Sequence, residues 1–262
     1  MNLQHIEIEQ RGAVRWLWLN RPEVRNAFND ALIADIADAF ADVEASPETR
    51  IVVVAARGPA FCAGADLNWM RAMAAYNHAD NHADALKVAR MFNAVHSCSK
   101  PVIARVQGDA FGGGVGLVAA CDVAVALDSA NFVLSEVKLG IVAATISPHV
   151  VRAMGARQAA RYMLTAERFG AVRARELGLV HELANSTTLD STIDSICNSL
   201  LAASPAALAA TKRLLADVVE APLDDVLLAA TAKCIADARV SPEGREGIAA
   251  FLEKRAAAWV KK

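Results

Sequence analysis

The chain has 262 residues, with 27 basic and 29 acidic side chains for a net charge of −2, and it is 55% hydrophobic and 21% charged. That length suits one large domain, or one domain with an appendage, and the composition is too apolar for a disordered chain. Charges of both signs are mixed along the length without the basic stripe that neutralises phosphates, so nucleic acid is not expected as a partner.

Five cysteines, Cys62, Cys98, Cys121, Cys197 and Cys234, are widely spaced and show no CxxC and no Cys/His ligand spacing, which reads as reduced core thiols. The opening MNLQHIEIEQ carries acids and alternates polar with apolar residues, unlike the basic start and apolar run of an export signal. The apolar stretch 115–127 is interrupted by Asp122 and falls short of the roughly 20 residues needed to cross a bilayer. These features predict a soluble, cytoplasmic protein with no membrane partner.

Residues 5–9 and 13–19 alternate like strands around Arg11-Gly12 and stop at Asn20-Arg21-Pro22, which predicts a β-hairpin. From Asn29, Leu32, Ile33, Ile36, Ala39, Phe40 and Val43 keep helical spacing until Ser46-Pro47. The all-apolar runs 51–55, 102–106 and 123–127 have the length of strands buried on both faces, with helical segments between them. The alternation predicts an α/β fold with mostly parallel central strands and crossover helices. After about Pro148 the strand signal ends, and the last hundred residues read as all-helical, packed on the core as an appendage.

Two loops stand where chemistry is expected. Phe61-Cys62-Ala63-Gly64-Ala65-Asp66-Leu67 follows a strand and a Gly-Pro turn and enters a helical pattern, with Asp66 placed to cap it. Such a small-residue loop leaves its backbone N–H groups open to a ligand; read alone, it is more readily a plain strand-to-helix turn. Gln107-Gly108-Asp109-Ala110-Phe111-Gly112-Gly113-Gly114 follows another strand and precedes a helix starting near Val115, whose N-terminus favours negative charge. Two N–H donors from different segments suit an oxyanion on a thioester. A phosphate site fits less well, because neither loop ends in Gly-Lys-Ser/Thr or completes GxGxxG at the chain start.

These segments, with Asn20-Arg21-Pro22-Glu23-Val24-Arg25-Asn26-Ala27-Phe28 and Ser135-Glu136-Val137-Lys138-Leu139-Gly140, occur in the order found in enoyl-CoA hydratases and isomerases, and the chain resembles that crotonase superfamily over nearly its whole length. The resemblance implies the crotonase (ClpP-like) spiral ββα core over residues 1–195 and a helical trimerisation region over 196–262. It implies an acyl-CoA substrate, no separate cofactor because coenzyme A belongs to the substrate, no metal, and a homotrimer or a hexamer of paired trimers. The amides of Ala65 and Gly113 would form an oxyanion hole and Glu136 would move the proton. Arg25, Ala27, Ala63, Ala65, Asp66, Leu67, Asn68 and Gly113 would line the coenzyme A. Phe251 and Lys254 are candidates for contact with a neighbouring subunit's CoA.

One position departs from the pattern: many family hydratases carry a second glutamate where this chain has Gly116. Either another group holds the water, or the reaction needs a single proton-transfer residue, as in double-bond isomerisation. Gly64-Ala65-Asp66-Leu67-Asn68-Trp69-Met70, Gly113-Gly114-Val115-Gly116-Leu117, Thr145-Ile146-Ser147-Pro148 and Leu164-Thr165-Ala166-Glu167-Arg168-Phe169 resemble a narrower subgroup, the methylglutaconyl-CoA hydratases of leucine breakdown and their isohexenylglutaconyl-CoA relatives. That subgroup can also carry a small residue at the Gly116 position, so the missing glutamate does not exclude hydration, and the resemblance makes a branched glutaconyl thioester the favoured expectation. Its second carboxylate would need a donor, for which Arg71, Arg152 and His149 are the candidates. Val142-Ala143 replaces the Ile-Pro frequent in related sequences.

Δ3-Δ2 enoyl-CoA isomerisation and a catalytically weak acyl-CoA- or RNA-binding role are the alternatives. Residues 86–97 carry only Lys87 and Arg90, too few for an RNA comb. His78 and His82 are four apart but lack a third ligand, which predicts no metal site there, and Trp69 is the tryptophan expected near the acyl pocket.

Overall fold

The computed structural model describes residues 3–260 except residue 220. In chain order the first half contains β1 (Ile6–Arg11), β2 (Val14–Leu19), α1 (Asp30–Ala45), β3 (Ile51–Ala56), α2 (Leu67–Met73), α3 (His78–Ser97), β4 (Val102–Val106), β5 (Ala110–Phe111), α4 (Gly113–Ala120), β6 (Val123–Leu127) and β7 (Asn131–Val133). The second half contains α5 (Ser147–Met154), α6 (Ala156–Thr165), β8 (Phe169–Gly170), α7 (Ala171–Glu176), β9 (Glu182–Ala184), α8 (Leu189–Leu201), α9 (Pro205–Val218), α10 (Asp225–Val240) and α11 (Pro242–Leu252). Short 3-10 turns cover Pro22–Val24 and Glu136–Leu139.

The main sheet runs β1-β2-β3-β4-β6-β9; only the β1–β2 hairpin is antiparallel, and every other pairing is parallel. The apolar runs predicted as buried strands are its centre. On β3, Ile51, Val53 and Ala55 face one layer with Trp16, Ile103 and the α8 residues Leu189 and Ile193. Val52, Val54 and Ala56 face the other, with Phe40, Met91, Phe92 and Leu117. The period of two sends alternate residues to opposite helical layers, so both faces are dry and the strand reads as continuously apolar. Helix α1 follows its predicted span, with the Asn29 side chain accepting the Leu32 N–H at 2.9 Å as its cap.

Two expectations need correction. The region after Pro148 is not all-helical: β8 pairs with β7 in a second sheet ordered β5-β7-β8, and β9 extends the main sheet beside β6. Two- and three-residue strands are too short to show a period, and only the pairing partners make them strands. The proposed boundary at 195/196 falls inside α8, whose Leu189, Ile193 and Cys197 are buried on the sheet, so the peripheral region begins with α9. Beyond α8 little is buried in the single chain: α9 and α10 have no buried residue and α11 only Ala250.

Among the described residues no single helix is long and apolar enough to cross a membrane, although α8 with α9, bent by 101°, passes by length and composition as a pair. Cys62, Cys98 and Cys197 are buried free thiols, whereas Cys121 and Cys234 are partly exposed.

Candidate active site

The segment 61–67 is held between two others by backbone hydrogen bonds. Phe28 N–H donates to Gly64 O at 2.7 Å and Asp66 N–H to Phe28 O at 2.8 Å; on the other side Phe111 N–H donates to Cys62 O at 2.9 Å and Phe61 N–H to Asp109 O at 3.0 Å. Gly64 has φ +89°, and a Cβ there would stand 3.1 Å from the Phe111 carbonyl oxygen, so the loops approach at a distance only glycine allows. A Cβ at Gly113 would stand 2.9 Å from the Phe28 ring.

A buried ion pair fixes this assembly. Arg21 donates to Asp66 at 3.0 Å and to the Ala27 carbonyl, with both side chains largely removed from water. The other Asp66 oxygen accepts the Asn68 N–H at 2.8 Å, capping α2 as the sequence predicts. Burial alone would raise the Asp66 pKa, but the Asn68 amide and the Arg21 guanidinium hold it below the ordinary carboxylate value. Asn26, fully buried at φ +56°, ties the Arg21 turn to the Arg57 and Ala60 carbonyls.

Ala65 and Gly113 line one cavity of about 240 Å³ together with Glu136, Trp69, Asp84, Phe92 and the segment 141–146. Among the described residues neither Ala65 N–H nor Gly113 N–H is bonded to an acceptor of the protein. The Gly113 amide opens α4, where the helix leaves its first N–H groups uncommitted. Glu136 begins a 3-10 turn, and its Oε1 lies 3.2 Å from where a Cβ on Gly112 would be. Its Oε2 is buried without a hydrogen-bond partner, and burial raises the carboxyl pKa above the ordinary value, opposed only by its own backbone N–H. The site thus presents a desolvated carboxyl that holds its proton more tightly than an ordinary carboxylate, beside two uncommitted amides.

Other expected residues lie elsewhere. Gly116 is buried beneath the cavity wall and lines nothing: a Cβ there would stand 2.2 Å from Ile146 Cγ2, so Ile146 fills the space. Arg25, Leu67 and Asn68 are exposed at the mouth of the same loops, Ala27 is buried and Ala63 half-buried. Phe251, 83% exposed, and Lys254 lie at the end of α11, outside the cavity lining.

None of the three donors considered for a distal carboxylate lines the cavity. Arg71 is exposed and donates to Asn68 Oδ1 at 2.6 Å; Arg152 is an exposed residue of α5. His149 is buried against Phe92 and His96, and its pKa is pushed down to about 4 by burial, then by His96 and Arg152, so it is neutral at pH 7. A larger hollow of about 440 Å³ between the end of α1 and α9 contains no expected site residue.

Sequence reasoning passed over Asp84 and Ile146. Asp84 sits on the buried face of α3 in phase with Val88, Met91, Phe92 and Val95, and an acid on an apolar stripe is the signal that points to it. Ile146 stands in one of the motifs quoted above, but its contact with Gly116 carries no signal in the sequence, because it depends on which residue it meets across the fold.

A parallel sheet flanked by short ββα units, with the loops after β3 and β4 meeting over one cavity, is the architecture of the crotonase class. Comparison with known proteins agrees: residues 9–262 match the family described as enoyl-CoA hydratase/isomerase. An enoyl-CoA hydratase structure from Shewanella pealeana superposes with a TM-score of 0.96 at 41% identity, covering 98% of this chain and 96% of that one. A mevalonyl-coenzyme A hydratase from Aspergillus fumigatus is 33% identical over 93% of this chain and 90% of its own length. A crotonyl-CoA hydratase from Syntrophomonas wolfei is 29% identical over the full length of both. The chain belongs to the enoyl-CoA hydratase/isomerase family.

Proposed function

We propose that this protein adds water across the double bond of a 2-enoyl-CoA thioester. The observation that carries the reading is the convergence of two uncommitted amides, Ala65 and Gly113, with the desolvated Glu136 on one cavity. The amides stabilise the enolate oxygen that develops on the thioester when water adds at the β carbon, a contribution of about 10²–10³ in rate per donor. Glu136 carries the proton between water and the α carbon. Hydratase relatives along the whole chain support addition of water rather than migration of the double bond.

The cavity favours an acyl group without a carboxylate over the glutaconyl thioester suggested by subgroup resemblance. Its lining contains two carboxyl groups, Glu136 and Asp84, and no Lys, Arg or His. A second substrate carboxylate would be desolvated there with no cation in the lining to answer it. A role in leucine breakdown rests on the glutaconyl group and loses support with it. We propose that the chain assembles into a trimer or a hexamer of paired trimers, an association supported by the apolar residues that α10, α11 and the turn before them leave open in one chain, among them Leu223, Val226, Phe251 and Leu252.

The test is an assay of purified protein with crotonyl-CoA, a 3-enoyl-CoA and 3-methylglutaconyl-CoA. Hydration of crotonyl-CoA that falls in Glu136→Gln supports the reading. Isomerisation without hydration moves the assignment to isomerase, and fast turnover of the glutaconyl thioester alone overturns the neutral acyl group.

A further inference from the structure

The cavity wall formed by α2 and α3 carries polar groups that the hydration chemistry does not use. Asp84 is 7% exposed and lines the cavity, and among the described residues no salt-bridge partner reaches it. Among the described residues no N–H or hydroxyl donor meets its carboxyl in hydrogen-bond geometry. Across from it the Trp69 indole Nε1–H is buried and unpartnered; it lies close enough to Asp84 to favour the ionised form, but not in bonding geometry. Asn81, one turn before Asp84 on α3, lines the same wall and points its amide nitrogen at the Tyr76 and Asn77 carbonyls.

Burying a carboxyl on an otherwise apolar helix face destabilises the fold unless something answers it, and here the side chain acting on it most strongly is a second carboxyl, Asp30, rather than a cation in the cavity wall. Burial, reinforced by the nearby Asp30 carboxyl, pushes the Asp84 pKa upward, with Lys87 opposing. The wall therefore holds an indole donor and a carboxyl that does not readily ionise. A purely aliphatic chain would leave both unanswered. A carboxylate would meet the Asp84 and Glu136 carboxyls with no cation among the described residues of the lining.

We propose that Trp69 and Asp84 form a specificity site for an uncharged hydrogen-bonding group, of which a hydroxyl on the acyl chain is the fitting example, with the hydroxyl oxygen accepting from Trp69 Nε1–H and its hydrogen donated to the Asp84 carboxyl. The inference builds on the acyl-thioester reading above and names the class of acyl group within it. Leaving a buried polar group unanswered costs about 1–3 kcal/mol, about 5–150-fold in affinity, and that difference separates hydroxyacyl from plain acyl chains.

The experiment is binding calorimetry with unreactive saturated thioesters, which reads the site whether or not the protein turns over. Butanoyl-, pentanoyl- and hexanoyl-CoA are compared with their ω-hydroxy counterparts and with adipoyl-CoA. At least one hydroxyacyl thioester is expected to bind 10-fold or more tightly than its alkyl partner, with adipoyl-CoA weakest. Asp84→Leu is expected to abolish or reverse the preference, and Trp69→Phe, which keeps the ring, to reduce it several-fold if Asp84→Leu does not fold. Equal affinities across every pair in the unmodified protein, or a preference that survives in Trp69→Phe and Asp84→Leu alike, overturns the proposal. A parallel crotonyl-CoA assay keeps the two readings apart: hydration with no hydroxyl preference refutes only this site, and hydroxyl preference without hydration refutes only the reaction.

Discussion

Ile146 stands where a side chain at Gly116 would have to be, 2.2 Å from its Cγ2 to the position of a Cβ on Gly116, with Phe92 3.4 Å away on the same side. The missing carboxylate at this position is therefore not an open space: an isoleucine from the start of α5 has packed into it. The carboxyls left on the cavity are Glu136, beside Gly112, and Asp84, on α3.

This contact predicts that Gly116→Ala destabilises the protein by about 1–3 kcal/mol through overpacking, although Gly to Ala inside a helix is otherwise favourable by about 1 kcal/mol. In an Ile146→Ala background the same change is expected to be neutral or stabilising. Urea unfolding of the four proteins in the cycle checks this, and additive effects would refute the contact.

Glu136→Gln is expected to lower kcat/KM by about 10²–10⁴, the usual weight of one proton-transfer group. Because the folded-state pKa of Glu136 is raised, the native protein holds its proton more tightly than the unfolded chain. Stability from this group is present at pH below its unfolded value and is lost as pH rises through the folded value. Glu136→Gln should therefore raise Tm at pH 8 and have little effect on it near pH 4. Calorimetric scans at the two pH values decide, and an equal shift at both would place the carboxyl in solvent.

His149 predicts acid sensitivity of the opposite sign. With its pKa pushed down to about 4 from an ordinary 6.5, the unfolded chain binds the proton first, so stability falls as pH drops from about 6.5 toward 4. The displacement corresponds to on the order of 3 kcal/mol across that window. His149→Phe is expected to flatten the dependence, seen by denaturant titration at pH 7 and pH 5. An unchanged slope would mean that other groups dominate the acid limb.

The Arg21–Asp66 pair predicts that Asp66→Ala costs about 3–5 kcal/mol, since it strands the buried guanidinium as well as uncapping α2. Arg21→Met with Asp66→Leu is expected to recover much of that loss, and activity should fall in both because the Ala65 amide loses its anchor. Denaturant midpoints read beside crotonyl-CoA turnover check the two effects; a loss of less than about 1 kcal/mol in Asp66→Ala would show the pair to be solvated.

The sequence by itself determined the parts whose signal is local. Period-two and all-apolar runs located the central parallel strands, helical spacing from Asn29 located α1, and the small-residue loops after two strands marked where Ala65 and Gly113 stand. A family motif brought Glu136 to notice. The tertiary structure alone decided what depends on partners far apart in the chain: that β9 completes the sheet beside β6, that Ile146 fills the space at Gly116, that Arg21 is committed to Asp66, and that Asp84 faces the acyl cavity while Arg71, Arg152 and His149 do not. The physical reason is that periodicity and turn chemistry are written along a few neighbouring residues, whereas occupancy and desolvation belong to the space between elements, which exists only once the sheet and helices have packed.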